Sequence, residues 1–119
     1  MTWSVEYTDA FGTWWQSLSE DEQVELDASV QLLEEFGPSL GRPHCDTIQG
    51  AKHTNMKELR TQCRGRPLRT FFAFDPRRTA ILLIGGDKTG DKRFYDRMIP
   101  LAERLYNNYL EELRREELL

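Results

Sequence analysis

Leu68-Arg69-Thr70-Phe71-Phe72-Ala73-Phe74, a break at Asp75-Pro76-Arg77-Arg78, and Thr79-Ala80-Ile81-Leu82-Leu83-Ile84 form the most informative segment of this 119-residue chain. A Phe-rich run, a polar turn carrying proline, and a nearly unbroken apolar run read as two strands joined by a tight connection. The second run has the character of a central strand. Working back, Met56-Lys57-Glu58-Leu59-Arg60 is a short strand and Arg64-Gly65-Arg66-Pro67 supplies a turn. Working forward, Gly85-Gly86-Asp87-Lys88-Thr89-Gly90 forms an exit loop. Asp91 then caps a last helix carrying Phe94, Met98, Leu101, Leu105 and Tyr109, with a kink or restart at Pro100.

The N-terminal half has a different period. Trp3-Ser4-Val5-Glu6-Tyr7 alternates like a half-buried strand. Thr8 or Asp9 caps a first helix with Phe11, Trp14, Trp15 and Leu18 on it. Ser19 and Glu22 form a capping box before a second helix, which Gly37-Pro38 stops. Ser39 to Thr54 reads as loop. The element order is β-α-α-β-β-β-α: an N-terminal strand and helical hairpin, then a small antiparallel sheet and a C-terminal helix, in the α+β class. Residues 1–119 are expected to form one domain.

The formal charge is −4, from 16 Lys and Arg against 20 Asp and Glu. Taken whole, that balance argues against nucleic-acid binding. It conceals a strong segregation. Met1 to Gly50 holds ten acids and one base, Arg42, whereas Ala51 to Pro100 holds twelve bases and five acids. Such asymmetry suggests a partner for each patch. No apolar run approaches the length of about eighteen residues that a membrane span needs. Met1-Thr2-Trp3-Ser4-Val5-Glu6 lacks the basic and apolar pattern of a signal peptide, so a cytoplasmic location is expected. Cys45 and Cys63 make no C-x-x-C pair, and His44 and His53 do not join them at zinc spacing, so no metal or other cofactor is expected.

The basic segment is the candidate site. Alternation along Met56–Arg60 places Lys57 with Leu59 on one face and Glu58 with Arg60 on the other. Short turns are expected to gather Arg60, Arg64, Arg66 and Arg69, with Lys88, Lys92 and Arg93 leaving the next strand nearby. Fixed cations on a sheet face suit a phosphodiester chain. Solvation of the sheet, or pairing with the acidic helices, explains the same residues and stays open at this point. Phe94 falls on the core side of the last helix. Tyr95, about 100° round it, is free to meet the sheet's polar surface, where it would stack on a base or exchange a proton. His53, in a loop upstream, is an acid–base candidate near neutral pH. Gly85-Gly86-Asp87-Lys88-Thr89 fails as a phosphate loop, because Asp87 and Leu82 stand where that motif needs glycines.

Met56-Lys57-Glu58-Leu59-Arg60, Arg66 to Pro76, and Leu82 to Lys92 with Arg93-Phe94-Tyr95 resemble the phage-derived, HigB-like branch of the RelE/HigB toxin superfamily. The resemblance implies a compact RelE-like fold and the toxin of a type II toxin–antitoxin pair. It implies a metal-independent endoribonuclease that cleaves mRNA in the ribosomal A site by attack of the 2′-hydroxyl on the phosphate. Carried over by position, Arg69 resembles the family's phosphate-holding arginine, and Lys57 is similar to a basic position that serves as base or phosphate contact. Tyr95 is similar to the family's tyrosine after the last strand. Thr89 stands where RelE-type relatives carry an arginine, so Lys88, Lys92 or Arg93 would supply the leaving-group acid; His53 is a further candidate. Arg60, Arg64, Arg66 and Arg93 would bind RNA. The implied partners are a HigA-like helix-turn-helix antitoxin, the ribosome and mRNA, with operator DNA met only through the antitoxin and no membrane contact. Two other readings keep the fold: a ParE-like protein that binds DNA gyrase and cleaves nothing, and an inactive toxin-fold regulatory partner.

Overall fold

The computed structural model describes residues 2–53 and 55–119. Met1 and Thr54, where the sequence reading began the chain and closed the long loop, lie outside the described residues. The strands are β1 (Val5–Tyr7), β2 (Cys45–Thr47), β3 (Met56–Cys63), β4 (Arg66–Phe74) and β5 (Ala80–Asp87). The helices are α1 (Asp9–Ser17), α2 (Glu20–Phe36) and α3 (Phe94–Arg115), and a 3-10 turn spans Gly37–Ser39.

The sheet order is β1-β5-β4-β3-β2. Neighbours are antiparallel except β1, which lies parallel to β5 with Val5 opposite Ala80. The small antiparallel sheet expected after the hairpin is present, and β1 adds a parallel edge strand to it. Between β1 and β5 the chain makes the helical hairpin and three strands, so β1 enters the far edge along the direction of β5. β2 is the second departure. It lies inside the segment read as loop, and only its pairing of Cys45 to Thr47 with Leu59 to Lys57 makes it a strand.

The sheet separates two cores. On one face Phe11, Leu26 and Leu33 of the hairpin cover Leu59, Phe72, Ala80 and Leu82. On the other, Phe94, Met98, Ala102 and Tyr106 of α3 cover Met56, Phe71, Ala73, Ile81 and Leu83. β5 thus sends alternate side chains into both cores, which is why its sequence is apolar without alternation. Phe71 and Phe72 alternate onto opposite faces, each with no exposed surface, and between them the pairing with β5 skips Leu83.

Local signals set the ends of the elements. The Thr8 hydroxyl accepts from the Phe11 amide and donates to the Leu83 carbonyl, fixing α1 to the sheet. Ser19 and Glu22 form the reciprocal capping box of α2. Gly37 ends α2 at φ 55°, and a methyl there would overlap the Trp3 indole. Arg64 and Gly65, at φ 51° and 79°, form a two-residue connection of the primed type, with Cys63 directly opposite Arg66. α3 runs through Pro100 as one helix rather than restarting. Its cap position is Arg93 rather than Asp91, whose carboxylate instead accepts the Arg93 amide.

Candidate active site

The two-residue turn at Arg64-Gly65 sets the register of β3 on β4. Counting back from Cys63 opposite Arg66, Arg60 falls opposite Arg69 and Glu58 opposite Phe71. Partners in a ladder share a face, so Glu58, Arg60 and Arg69 all point to the side covered by α3. Arg69 is also paired with Gly86 of β5, and the absent side chain there lets Phe94 and Met98 approach.

Glu58 is the centre of this group. It is 4% exposed, and its Oε1 accepts the Tyr95 hydroxyl at 2.6 Å. Its Oε2 accepts from the Arg60 guanidinium at 3.3 Å, and the Arg69 Nε lies 3.6 Å from Oε1. One buried carboxylate therefore holds two guanidinium groups and a phenol. The ion pairing leaves the Nε–H groups of both Arg60 and Arg69 without a hydrogen-bond acceptor among the described residues. A buried donor of a charged group in that state carries a desolvation cost that no hydrogen bond offsets.

Around this centre, Asp46 of β2 lies 3.7 Å from Arg60 and 2.6 Å from Arg42. The hydrogen bond from Arg42 holds the Asp46 carboxyl below its ordinary range. The Lys88 ammonium sits 5.2 Å from the centroid of the Tyr95 ring, a cation–π contact. Burial, then the hydrogen bond to Glu58, pushes the Tyr95 hydroxyl up, so it carries its proton at neutral pH. The open cleft formed here has a volume of about 400 Å³ and is bordered by Asp46, Glu58, Arg60, Lys88 and Tyr95.

The other candidates are dispersed. Lys57 is opposite Phe72, on the hairpin side of the sheet, so it does not share the face of Glu58, Arg69 and Tyr95. Arg64 is hydrogen-bonded to Asp21, and Arg66 lies 2.8 Å from Glu22, both acids in the first turn of α2. For these two arginines, pairing with the acidic helices is what the structure shows. His53 meets Asn107 at 2.9 Å and packs edge-on against Tyr106. Tyr106 is eleven residues along α3 from Tyr95, about 16 Å of helix rise. Lys92 and Arg93 are exposed just before α3. Thr89 is turned back on Asp87, its hydroxyl 2.5 Å from the carboxylate. Sequence reasoning missed Glu58 as a site residue; the available signal was an acid alternating with Arg60 on an otherwise basic strand. Among the described residues no three His, Cys, Asp or Glu side chains converge as a metal site.

Comparisons with known proteins agree with this architecture. Residues 13–107 match the phage-derived Gp49-like protein family. The chain is 46% identical over 98 residues to the toxin candidate HigB3 of Mycobacterium tuberculosis, covering 82% of this chain and 84% of that one. It is 38% identical over 110 residues to the toxin candidate HigB2 of the same organism, covering 91% of this chain and 54% of the relative. Two solved structures share the fold. One is Escherichia coli toxin RelE, a double arginine-to-alanine mutant in the free state, with TM-score 0.56, 10% identity, and coverage of 79% of this chain and 92% of that one. The other is the archaeal RelE–RelB complex of Pyrococcus horikoshii, with TM-score 0.55, 16% identity, and coverage of 76% and 99%. No helix among the described residues is long and apolar enough to cross a membrane. With a family match over most of its length and two close toxin relatives, the chain belongs to the phage-derived Gp49-like family of HigB/RelE-type toxins.

Proposed function

We propose that this toxin is a metal-independent endoribonuclease that cuts mRNA in the ribosomal A site, and that an antitoxin encoded with it holds it in check. The observation that carries this reading is the cleft in which Arg60, Lys88 and Tyr95 stand around Glu58, with the buried Arg69 paired to Arg60 across the strands and 3.6 Å from the same carboxylate. Cleavage by 2′-hydroxyl attack requires a proton acceptor, cations for the dianionic phosphorane, and a proton donor for the leaving oxygen. Arg60 supplies a cation at the cleft and the buried Arg69 a second one behind it, for the charge that develops on the phosphate oxygens. Tyr95 takes the 2′-hydroxyl proton as its own passes to Glu58 along the 2.6 Å hydrogen bond. The 2′-oxygen bonds to phosphorus, the bond to the 5′-oxygen breaks, and the Lys88 ammonium gives that oxygen a proton. The products are a 2′,3′-cyclic phosphate and a free 5′-hydroxyl. Lys92 and Arg93, exposed at the mouth of α3, contact flanking phosphates.

The test is mapping of new 5′ ends on mRNA by primer extension, with purified protein and with or without translating ribosomes. Wild-type protein is expected to cut only on ribosomes. Arg69→Ala should abolish both cleavage and growth arrest while unfolding remains cooperative, because Glu58 keeps Arg60 and Tyr95 as partners. Intact mRNA together with inhibited gyrase supercoiling would overturn the nucleolytic reading in favour of a gyrase-binding toxin.

A further inference from the structure

A second concavity, of about 600 Å³, lies on the hairpin side between β1, α1 and α2. Its apolar surface includes Tyr7, Trp15 and Val30. Tyr7 is 66% exposed, a large aromatic left open to water. The polar lining is one-signed: Asp9, Asp27 and Glu34 contribute, and no Lys or Arg does. None of these three carboxylates has an ion-pair partner among the described residues, whereas Asp21 and Glu22 on the same helix are taken by Arg64 and Arg66. α2 carries seven acids and no Lys or Arg, so nothing on that helix compensates them. β1 is also a terminal strand of the sheet, with one edge unpaired beside the groove.

An apolar floor, an uncompensated negative rim and an open strand edge together select an occupant that is apolar on one side and cationic on the other. We propose that this groove docks a basic amphipathic segment of a partner protein. Resting on the toxin reading above, that partner is the antitoxin, and it grips the toxin on the face opposite the cleft of Arg60, Lys88 and Tyr95.

The test uses the full chain, the antitoxin encoded beside it, and two synthetic probes: an amphipathic Leu–Lys peptide and its Leu–Glu counterpart. Asp27→Lys combined with Glu34→Lys, and separately Tyr7→Ser, should each weaken antitoxin binding by at least about tenfold. Growth arrest without antitoxin should stay at the wild-type level, and rescue by antitoxin should be lost. Thermal melts verify that both variants fold. In isotope-labelled protein the Leu–Lys peptide should shift the amide resonances of Gly12 and Val30, and the Leu–Glu peptide should not. Undiminished antitoxin affinity in both variants, or Leu–Lys shifts confined to other surfaces, would overturn the proposal and leave the toxin reading standing. A chain that neither arrests growth nor binds the antitoxin would sink the toxin reading, and the peptide titration would still decide the groove.

Discussion

Glu58→Gln keeps the side-chain volume but removes the charge that Arg60 and Arg69 face at 3.3 and 3.6 Å. The side chains of Arg69 and Glu58 are only 8% and 5% exposed, so water has little access to replace the lost partner. Breaking a buried pair from one side costs about 3–5 kcal/mol. Arg60 is 27% exposed and keeps some solvent, and the new amide still accepts the Tyr95 hydroxyl. We therefore place the loss at the lower end, about 3 kcal/mol, which for a domain of this length lowers Tm by roughly 9–18 °C. Arg69→Met leaves the carboxylate two partners and should cost about 2 kcal/mol. In the double variant neither charge is stranded, so its loss should fall short of the sum by about 1.5 kcal/mol or more. Urea unfolding followed by tryptophan fluorescence measures all four proteins, and raising salt should change the coupling little because the pair is buried. Additive losses, or a Glu58→Gln cost below about 1 kcal/mol, would refute the assignment of Glu58 as the charge that holds this cleft together.

Three further outcomes are expected. Gly85→Ala puts a methyl into the Trp14 ring across β5 and should destabilise by about 2 kcal/mol or more, whereas Gly86→Ala meets only the rim of Phe94 at 2.9 Å and should cost less; chemical denaturation of the pair checks the order. Lys57→Ala should retain cleavage to within about threefold while Lys88→Ala loses at least about tenfold, as measured by 5′-end mapping; the reverse order would place the chemistry on the other face of the sheet. Burial, then the hydrogen bond to Asp75, raises the Tyr109 hydroxyl above its ordinary 10.0. A raised folded-state value means stability fully present below pH about 10 and lost as pH rises through the folded value. Melts between pH 9 and 12 should therefore fall less steeply for Tyr109→Phe than for wild type, and equal slopes would contradict the raised value.

What was legible in the chain was whatever its local pattern determines. β5 shows because both of its faces are buried, and the α2 capping box shows because its partners are three residues apart. β2 does not show, because nothing in Cys45-Asp46-Thr47 makes a strand until β3 lies beside it. Gly85-Gly86 reads as loop because glycine is poor in strands, yet both lie inside β5. There each makes room for a ring, Trp14 of α1 on one face and Phe94 of α3 on the other. Within the site, face alternation separated Lys57 from Glu58 and Arg60 on β3. It could not say which of these faces Arg69 joins on β4. That depends on register, and register was hidden in the length of the turn. Taking Arg64-Gly65-Arg66-Pro67 as the turn leaves the pairing undefined, while the two residues Arg64-Gly65 alone force Arg60 opposite Arg69 and Lys57 opposite Phe72. A lone acid among bases, as Glu58 is, reads as a neutralising neighbour, whereas its burial makes it the anchor of the group.

The same register explains how a chain of net charge −4 can face a polyanion. The β3–β4 hairpin distributes its cations by face and by position. Arg64 and Arg66, at the tip, turn to Asp21 and Glu22 and neutralise the start of α2. Around the cleft four cations, Arg42, Arg60, Arg69 and Lys88, stand against the two carboxylates of Glu58 and Asp46. The acids of the groove, Asp9, Asp27 and Glu34, lie on the other side of the sheet and receive none of this charge. Stacked layers stand about 10 Å apart, comparable with the screening length at physiological salt. A phosphate chain on one face and a basic segment on the other would therefore interact with different charges. Raising salt should weaken both associations, yet reversing Asp27 and Glu34 should leave RNA cleavage at its wild-type rate. If that reversal instead changed cleavage several-fold, the two faces would be electrostatically coupled through the sheet, and the separation of roles argued from the register would fail.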